Sequence, residues 1–349
     1  MKKVLLVLGI ILLIFFLIDG CVDDGSSSGE YNPRYETQDG DDDSNDSYSD
    51  DEDDWDDEDE NIWDDTDDED YADDDSDDEV LQDDEPCKVE DDECSGVEDL
   101  ELPRERTDGR YPKAETYEIE AGGERNYTVY YDAQTYTPLW VAYTLSTHDM
   151  GDYKRPSGWN YNPYISISDQ VNLCSRSYND DYSRGHLIPN ASRNGNREMQ
   201  LQTFYVTNSV PQIQNKFNGG IWQRLEAALQ GVAQEETIYI VTGVAFEKQG
   251  ERKSISYTTA KDDTKRVPVP NYFYKVVLKV KTDRSGTVTD ACSVGFWFEH
   301  RTYSDKFDSY AVSVDQIEQW TGFDYFPALA NPFETRAEQN SSWKTFKSW

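Results

Sequence analysis

Residues 182–229 read YSRGHLIPNASRNGNREMQLQTFYVTNSVPQIQNKFNGGIWQRLEAAL. Tyr182-Ser183-Arg184-Gly185-His186 is polar and conformationally permissive, and the apolar Leu187-Ile188-Pro189 follows directly. Leu201–Val206 reads as a buried strand. From Asn218 to Leu229 the apolar residues Ile221, Leu225 and Leu229, with Trp222 adjacent, fall at helical spacing. On such a helix Asn218, Trp222 and Glu226 recur at i, i+4 and i+8 on roughly one face, aiming an amide oxygen and a carboxylate the same way. His186 is one of three histidines in the chain, beside His148 and His300. An oxygen ligand, an acid and a histidine are what a hard divalent cation with a water nucleophile requires. Arg155, Arg184, Arg193 and Lys216 supply positive charge for a phosphate.

Outward from this stretch, strands predominate. Asn126–Tyr131 and Leu139–Leu145 flank Asp132–Pro138 as a hairpin. Thr237–Phe246, Tyr272–Val280 and Cys292–Phe298 are apolar runs bounded by turn residues, and Val314–Trp320 suits a short helix with Asp315 near its start. Helices intervene irregularly, without βαβα alternation, which predicts an α+β fold with a central antiparallel sheet and flanking helices.

The charge is confined to one end. The chain has 349 residues with 72 acidic and 32 basic side chains; residues 1–100 hold 41 and 4 of them, leaving 31 and 28 in residues 101–349. A near-neutral stretch of that length can bury a core, and neither a globally acidic fold nor a polytopic membrane protein fits. Residues 41–86 contain 29 Asp or Glu among 46, no Lys or Arg and no glycine, so they lack the turn residue of a calcium loop and the apolar area to offset ordering entropy. Residues 21–103 therefore read as a disordered acidic tether, and residues 104–349 as the folded domain. Lys2 and Lys3 precede a 15-residue apolar run, Val4 to Ile18, too short for a stable span and suited to a signal peptide over residues 1–20. Cys21 after Gly20 resembles the lipobox cysteine of bacterial lipoproteins, with Asp19 as a departure. That resemblance implies lipidation of Cys21, a membrane contact through the N-terminal anchor, and an extracytoplasmic place in the cell envelope. Cys87, Cys94, Cys174 and Cys292 allow three disulfide pairings; proximity favours Cys87–Cys94, leaving Cys174 with Cys292. No pair has zinc-ligand spacing.

The globular part resembles the DNA/RNA non-specific endonuclease family, whose site is a ββα-metal (His-Me finger) unit. The family signature is Asp-Arg-Gly-His, then Asn-x-x-Pro-Gln, then Asn-x-x-x-Trp-x-x-Leu-Glu. This chain has Ser183-Arg184-Gly185-His186, Asn208-Ser209-Val210-Pro211-Gln212, and Asn218 through Trp222 to Leu225-Glu226. Trp140-Val141-Ala142-Tyr143, Val241-Thr242-Gly243, Val267-Pro268-Val269-Pro270 and Thr321-Gly322-Phe323 are similar as well, so the resemblance covers about residues 105–330. It implies hydrolysis of DNA and RNA to 5′-phosphate products with Mg²⁺, or Mn²⁺ in its place. His186 matches the general base, Asn218 the direct metal ligand, and Glu226 the acid that holds water of the metal. Arg184 belongs to the signature, and Arg155 lies where the family has an arginine that stabilises the phosphorane. Asn208, Gln212 and Arg193 fall on the substrate side. The departure is Ser183 in place of Asp. It keeps open a catalytically weakened nucleic-acid-binding lipoprotein, and the acidic segment keeps open a lipoprotein that binds cations or a basic partner. His148 and His300 read as structural residues, and the oligomeric state is left open.

Overall fold

The computed structural model describes residues 98–104, 106 and 108–349. The signal segment, Cys21, the Cys87–Cys94 pair and the acidic stretch up to residue 97 lie outside the described residues. The strands are β1 (Ala114–Ala121), β2 (Glu124–Asp132), β3 (Thr137–Leu145), β4 (Tyr182–His186), β5 (Ser209–Ile213), β6 (Asn215–Lys216), β7 (Gly219–Gly220), β8 (Ile238–Ala245), β9 (Ser256–Thr259), β10 (Arg266–Val269), β11 (Tyr272–Thr282), β12 (Val288–Glu299) and β13 (Ala311–Val312). The helices are α1 (Arg197–Gln202), α2 (Ile221–Ala233), α3 (Val314–Thr321), α4 (Asn331–Glu338) and α5 (Trp343–Ser348). Seven strands form the main sheet in the order β1-β2-β3-β8-β11-β12-β13, each pair antiparallel. The α+β expectation holds.

Alternation along the strands gives the sheet two buried faces. Tyr127, Val129, Val141, Tyr143, Ile238, Ile240, Phe273, Val277, Val294 and Phe296 share one core with Ile221, Trp222, Leu225 and Leu229 of α2. Tyr130, Trp140, Tyr239, Val241, Tyr274, Val276 and Trp297 share the other with Val314 and Ile317 of α3 and Ala337 of α4. Strands covered on both sides read as continuous apolar runs, which is why β8 and β11 were visible in the sequence. Each fully buried aliphatic or aromatic side chain of α2 contributes about 1.5–3 kcal/mol, so this helix is fixed by its packing more than by its propensity. Gly243 is required where it stands: it pairs with Tyr274 across β8 and β11, and a Cβ there would collide with the Tyr274 ring.

Four expectations change. Leu201–Val206 is no strand: Asn196 caps α1 through Glu198 and Met199 N–H, and the chain leaves the helix by turns into a 3-10 segment at Val206–Asn208. Its buried Phe204 and Val206 belong to a third apolar cluster with Trp159, Leu173 and Tyr178, so the run is apolar because it is covered, not because it is extended. The predicted helix at 218–229 starts later, at Ile221, and continues to Ala233. Residues 98–103, read as the end of the tether, pack on the domain: Leu100 is fully buried, and Glu101 and Asp99 pair with Arg125 at 2.8 and 2.6 Å. Finally, Cys174 is disulfide-bonded while the buried Cys292 is free, so Cys174–Cys292 does not form.

Candidate active site

β4 and β5 pair antiparallel with Ser183 opposite Gln212, Gly185 opposite Val210 and His186 opposite Ser209. The first two sequence motifs are thus one ribbon. Gly185 is needed for it, because a Cβ would run into the Gln212 side chain. After β5 the chain turns into α2 with Trp222 N–H donating to Phe217 O (3.0 Å) and Gln223 N–H to Asn218 O (3.2 Å). β4, β5 and α2 make a ββα unit that carries all three motifs.

Asn218 stands ahead of α2, not on it. Gly220 holds the N-cap position and no side chain caps the helix, so Asn218 does not share a helical face with Trp222 and Glu226. Its Nδ2 donates to Gln214 Oε1 (2.9 Å) and Ser183 Oγ (3.3 Å), and Ser183 Oγ donates to Gln212 O (2.9 Å). With the amide nitrogen committed, Oδ1 is the atom left for a hard cation. The serine that departs from the family signature therefore ties the third motif to the ribbon and orients its amide.

His186 sits among rings. Trp159 and Phe204 lie 4.5 and 4.9 Å from it between centroids, and the Arg184 and Arg155 guanidinium groups cover those same rings at 5.4 and 5.2 Å. Its Nε2 is buried and has no hydrogen-bond partner among the described residues. Desolvation first, and then the charges of Arg155 and Arg184, hold the imidazole pKa well below its ordinary value. The ring is neutral at physiological pH, with one nitrogen open: the state a general base needs.

Glu226 forms an ion pair with Lys275 at 3.3 Å. Lys275 is fully buried in the middle of β11, donates to Thr242 Oγ1 (2.8 Å) and lies 4.5 Å from the Trp222 ring. Burial raises the Glu226 pKa and Lys275 opposes that rise; burial lowers the Lys275 pKa and Glu226 opposes that fall. Sequence reading missed Lys275. The signal was present, since a lysine inside the apolar run YFYKVVLKV must find a buried partner.

Two predicted substrate residues lie inside the protein. Arg193 is 1% exposed; its guanidinium donates to Asn126 Oδ1, Asn126 O, Ser192 O and Thr144 O and lies 3.6 Å from Asp149. Asn208 is fully buried, donating to Ile188 O and Thr203 O and accepting from Ile188 N–H. Arg193 ties its own segment to β2 and β3, Asn208 fixes loop backbone, and both spend their donors inside the protein. Gln212 is buried too, its amide atoms without hydrogen-bond partners among the described residues. His300 is structural, accepting from Ile213 N–H and bonding Pro270 O, with burial pushing its pKa down to about 4. His148 and Lys216 are exposed.

A family model described as DNA/RNA non-specific endonuclease matches residues 113–331. The mitochondrial nuclease EXOG of Danio rerio is 30% identical over 223 residues, 60% of this chain and 63% of that protein. A nuclease of Nostoc sp. is 26% identical over 223 residues, 62% of this chain and 76% of its own. The chain spans less than two thirds of the length of the first EXOG relatives it matches. A chain of the crystallised EndoG/EndoGI complex superposes with a TM-score of 0.49 at 19% identity, over 58% of this chain and 84% of that one.

Proposed function

Because the chain belongs to the DNA/RNA non-specific endonuclease family, we propose that it hydrolyses phosphodiester bonds of DNA and RNA with a divalent cation, Mg²⁺ or Mn²⁺, and leaves 5′-phosphates. The observation that carries this reading is one ββα unit that holds both a neutral His186 with an unpartnered Nε2 and an Asn218 whose amide nitrogen is committed to Gln214 and Ser183. Asn218 Oδ1 would hold the cation, and Glu226 would accept hydrogen bonds from water beside it. When bound, the cation supplies positive charge for the phosphorane and the departing 3′-oxygen. His186 takes a proton at Nε2 from the attacking water. Arg155 and Arg184 keep the imidazole neutral before that transfer and offer positive charge to the phosphate. Trp159 and Phe204 exclude bulk water from the ring, which strengthens each of these interactions.

Lipidation at Cys21 and an acidic spacer extend the proposal: the domain would act outside the cytoplasm, in the cell envelope, held off the membrane by a self-repelling segment. Among the described residues no helix is long and apolar enough to cross a membrane.

The test is nicking of supercoiled plasmid and cleavage of RNA by the full chain across a metal series. His186→Ala is expected to lower kcat by at least ~10² without changing the metal requirement. Asn218→Ala is expected to need more metal and to recover partly when it is supplied. Activity untouched by excess EDTA, or identical metal responses of the two variants, would refute the assignment.

A further inference from the structure

Away from the ββα unit, α3 and α4 bring acidic side chains together. Asp315, Glu318 and Glu338 each place a carboxylate oxygen within 4.8 Å of the others. Asp315 and Glu318 are one helical turn apart on α3, so they share a face. Glu338 comes from the last turn of α4, beside the buried Ala337 that packs on the sheet. Repulsion from Glu334 and Asp324 also reaches this group, and Arg104, ion-paired to Asp324 at 3.1 Å, is largely exposed.

The carboxylate of Glu338 is the unusual member. The residue is 6% exposed, and its Oε1 is buried with no hydrogen-bond partner among the described residues. A buried carboxylate beside two further carboxylates, with one oxygen lacking a donor, is a group in want of a cation or a proton. Glu318 is held in place for the same encounter, since its Oε1 accepts the Tyr325 N–H at 2.7 Å. Oxygens bound to one Ca²⁺ at 2.3–2.6 Å stand at most about 5 Å apart, so the separations of these three carboxylates, all within 4.8 Å, lie in the range that one ion can draw together. Mg²⁺ demands a tighter octahedron and retains most of its water, and it suits so irregular an all-carboxylate set less well.

We propose that Asp315, Glu318 and Glu338 form a second cation site, separate from the nuclease centre, that binds a calcium-sized hard divalent ion and pins α4 to α3. Its role is structural. Without an ion the group stores protons: burial first, and then the neighbouring acids, push Glu338 up to about 9 and Glu318 up to about 7. A bound ion removes the need for those protons and locks the C-terminal helices on the second core.

The experiment is thermal unfolding of the full chain at pH 7.5 against a Ca²⁺ series, for wild type and for Glu318→Gln/Glu338→Gln. The acidic N-terminal segment and the nuclease centre are common to both proteins, so cation binding there cancels in the comparison. Ca²⁺ at a hundredfold excess over its Kd should raise the wild-type midpoint by about 5–10 °C, and the variant should lose most of that rise. Tb³⁺ luminescence sensitised by Trp320 and Tyr325 should fall in parallel. Equal Ca²⁺ responses in the two proteins, or none in wild type, would overturn the site and leave protons as the resident charge. Should the double variant fail to fold, the exposed Asp315→Asn serves instead; it is expected to weaken Ca²⁺ binding several-fold with folding retained, and an unchanged Ca²⁺ response there overturns the proposal equally.

Discussion

Lys275→Met tests whether Glu226 works as a carboxylate held ionised by a buried partner. Methionine keeps most of the aliphatic volume in β11 and removes the charge together with the hydrogen bond to Thr242 Oγ1. At 3.3 Å and an effective dielectric near 20, the Lys275–Glu226 attraction is about 5 kcal/mol before relaxation. Both groups are desolvated, the lysine wholly and the glutamate with a side chain 14% exposed, so solvent screens little of this. Removing one member of such a pair costs about 3–5 kcal/mol in stability. Glu226 escapes part of that cost by taking a proton. Its pKa, already raised by burial, rises further without Lys275. A carboxyl raised in the folded state stabilises fully below its unfolded value and loses that contribution as pH rises through the folded value. The variant should therefore lose less stability at pH 5 than at pH 8. The acid limb of kcat/KM should move upward by roughly one to three pH units, because the carboxylate form is scarcer at neutrality. The assay is plasmid nicking at saturating metal from pH 5 to 9.5, with unfolding followed at the same pH values. A folded variant whose acid limb coincides with that of wild type would refute the role given to Lys275.

Three further outcomes follow from the geometry. Ser183→Asp keeps an acceptor for Asn218 Nδ2 and adds negative charge beside the proposed cation position, so nicking is expected to equal or exceed wild type; a large loss would show that the donor bond from Ser183 to Gln212 O cannot be spared. Arg193→Ala should lower the unfolding midpoint, by about 3–5 kcal/mol in stability, while leaving KM for DNA in the surviving folded protein nearly unchanged; a raised KM with normal stability would return Arg193 to the substrate side. In EDTA, stability contributed by Glu318 and Glu338 is complete below their unfolded values and is lost as pH rises through about 7 and about 9, and Glu338→Gln should flatten the upper part of that decline; an unaltered slope in chemical-denaturation data would exclude Glu338 as its source.

By itself the sequence determined the family, the antiparallel sheet, and which side chains have the chemistry for a cation and a general base. Those depend on residue type and short-range order: apolar runs in β8 and β11, a glycine before His186, helical spacing after Gly220. Only the tertiary structure decided which polar atoms are free to act. Arg193 and Asn208 have the right chemistry for phosphate but spend their donors on Asn126, Thr144, Ile188 and Thr203. Asn218 stood out in the sequence as a candidate ligand from its motif, yet its position ahead of α2 and its orientation by Ser183 and Gln214 did not. Lys275 meets Glu226 across 49 residues of chain, and Glu338 meets Asp315 across 23. Cys292 is left unpaired although a count of cysteines offers it a partner. A side chain's type fixes what it can donate, accept or charge; its partner is set by the packing that brings distant segments into contact. No local pattern carries that information, because the free energy that selects the partner comes from burial of the whole core around it.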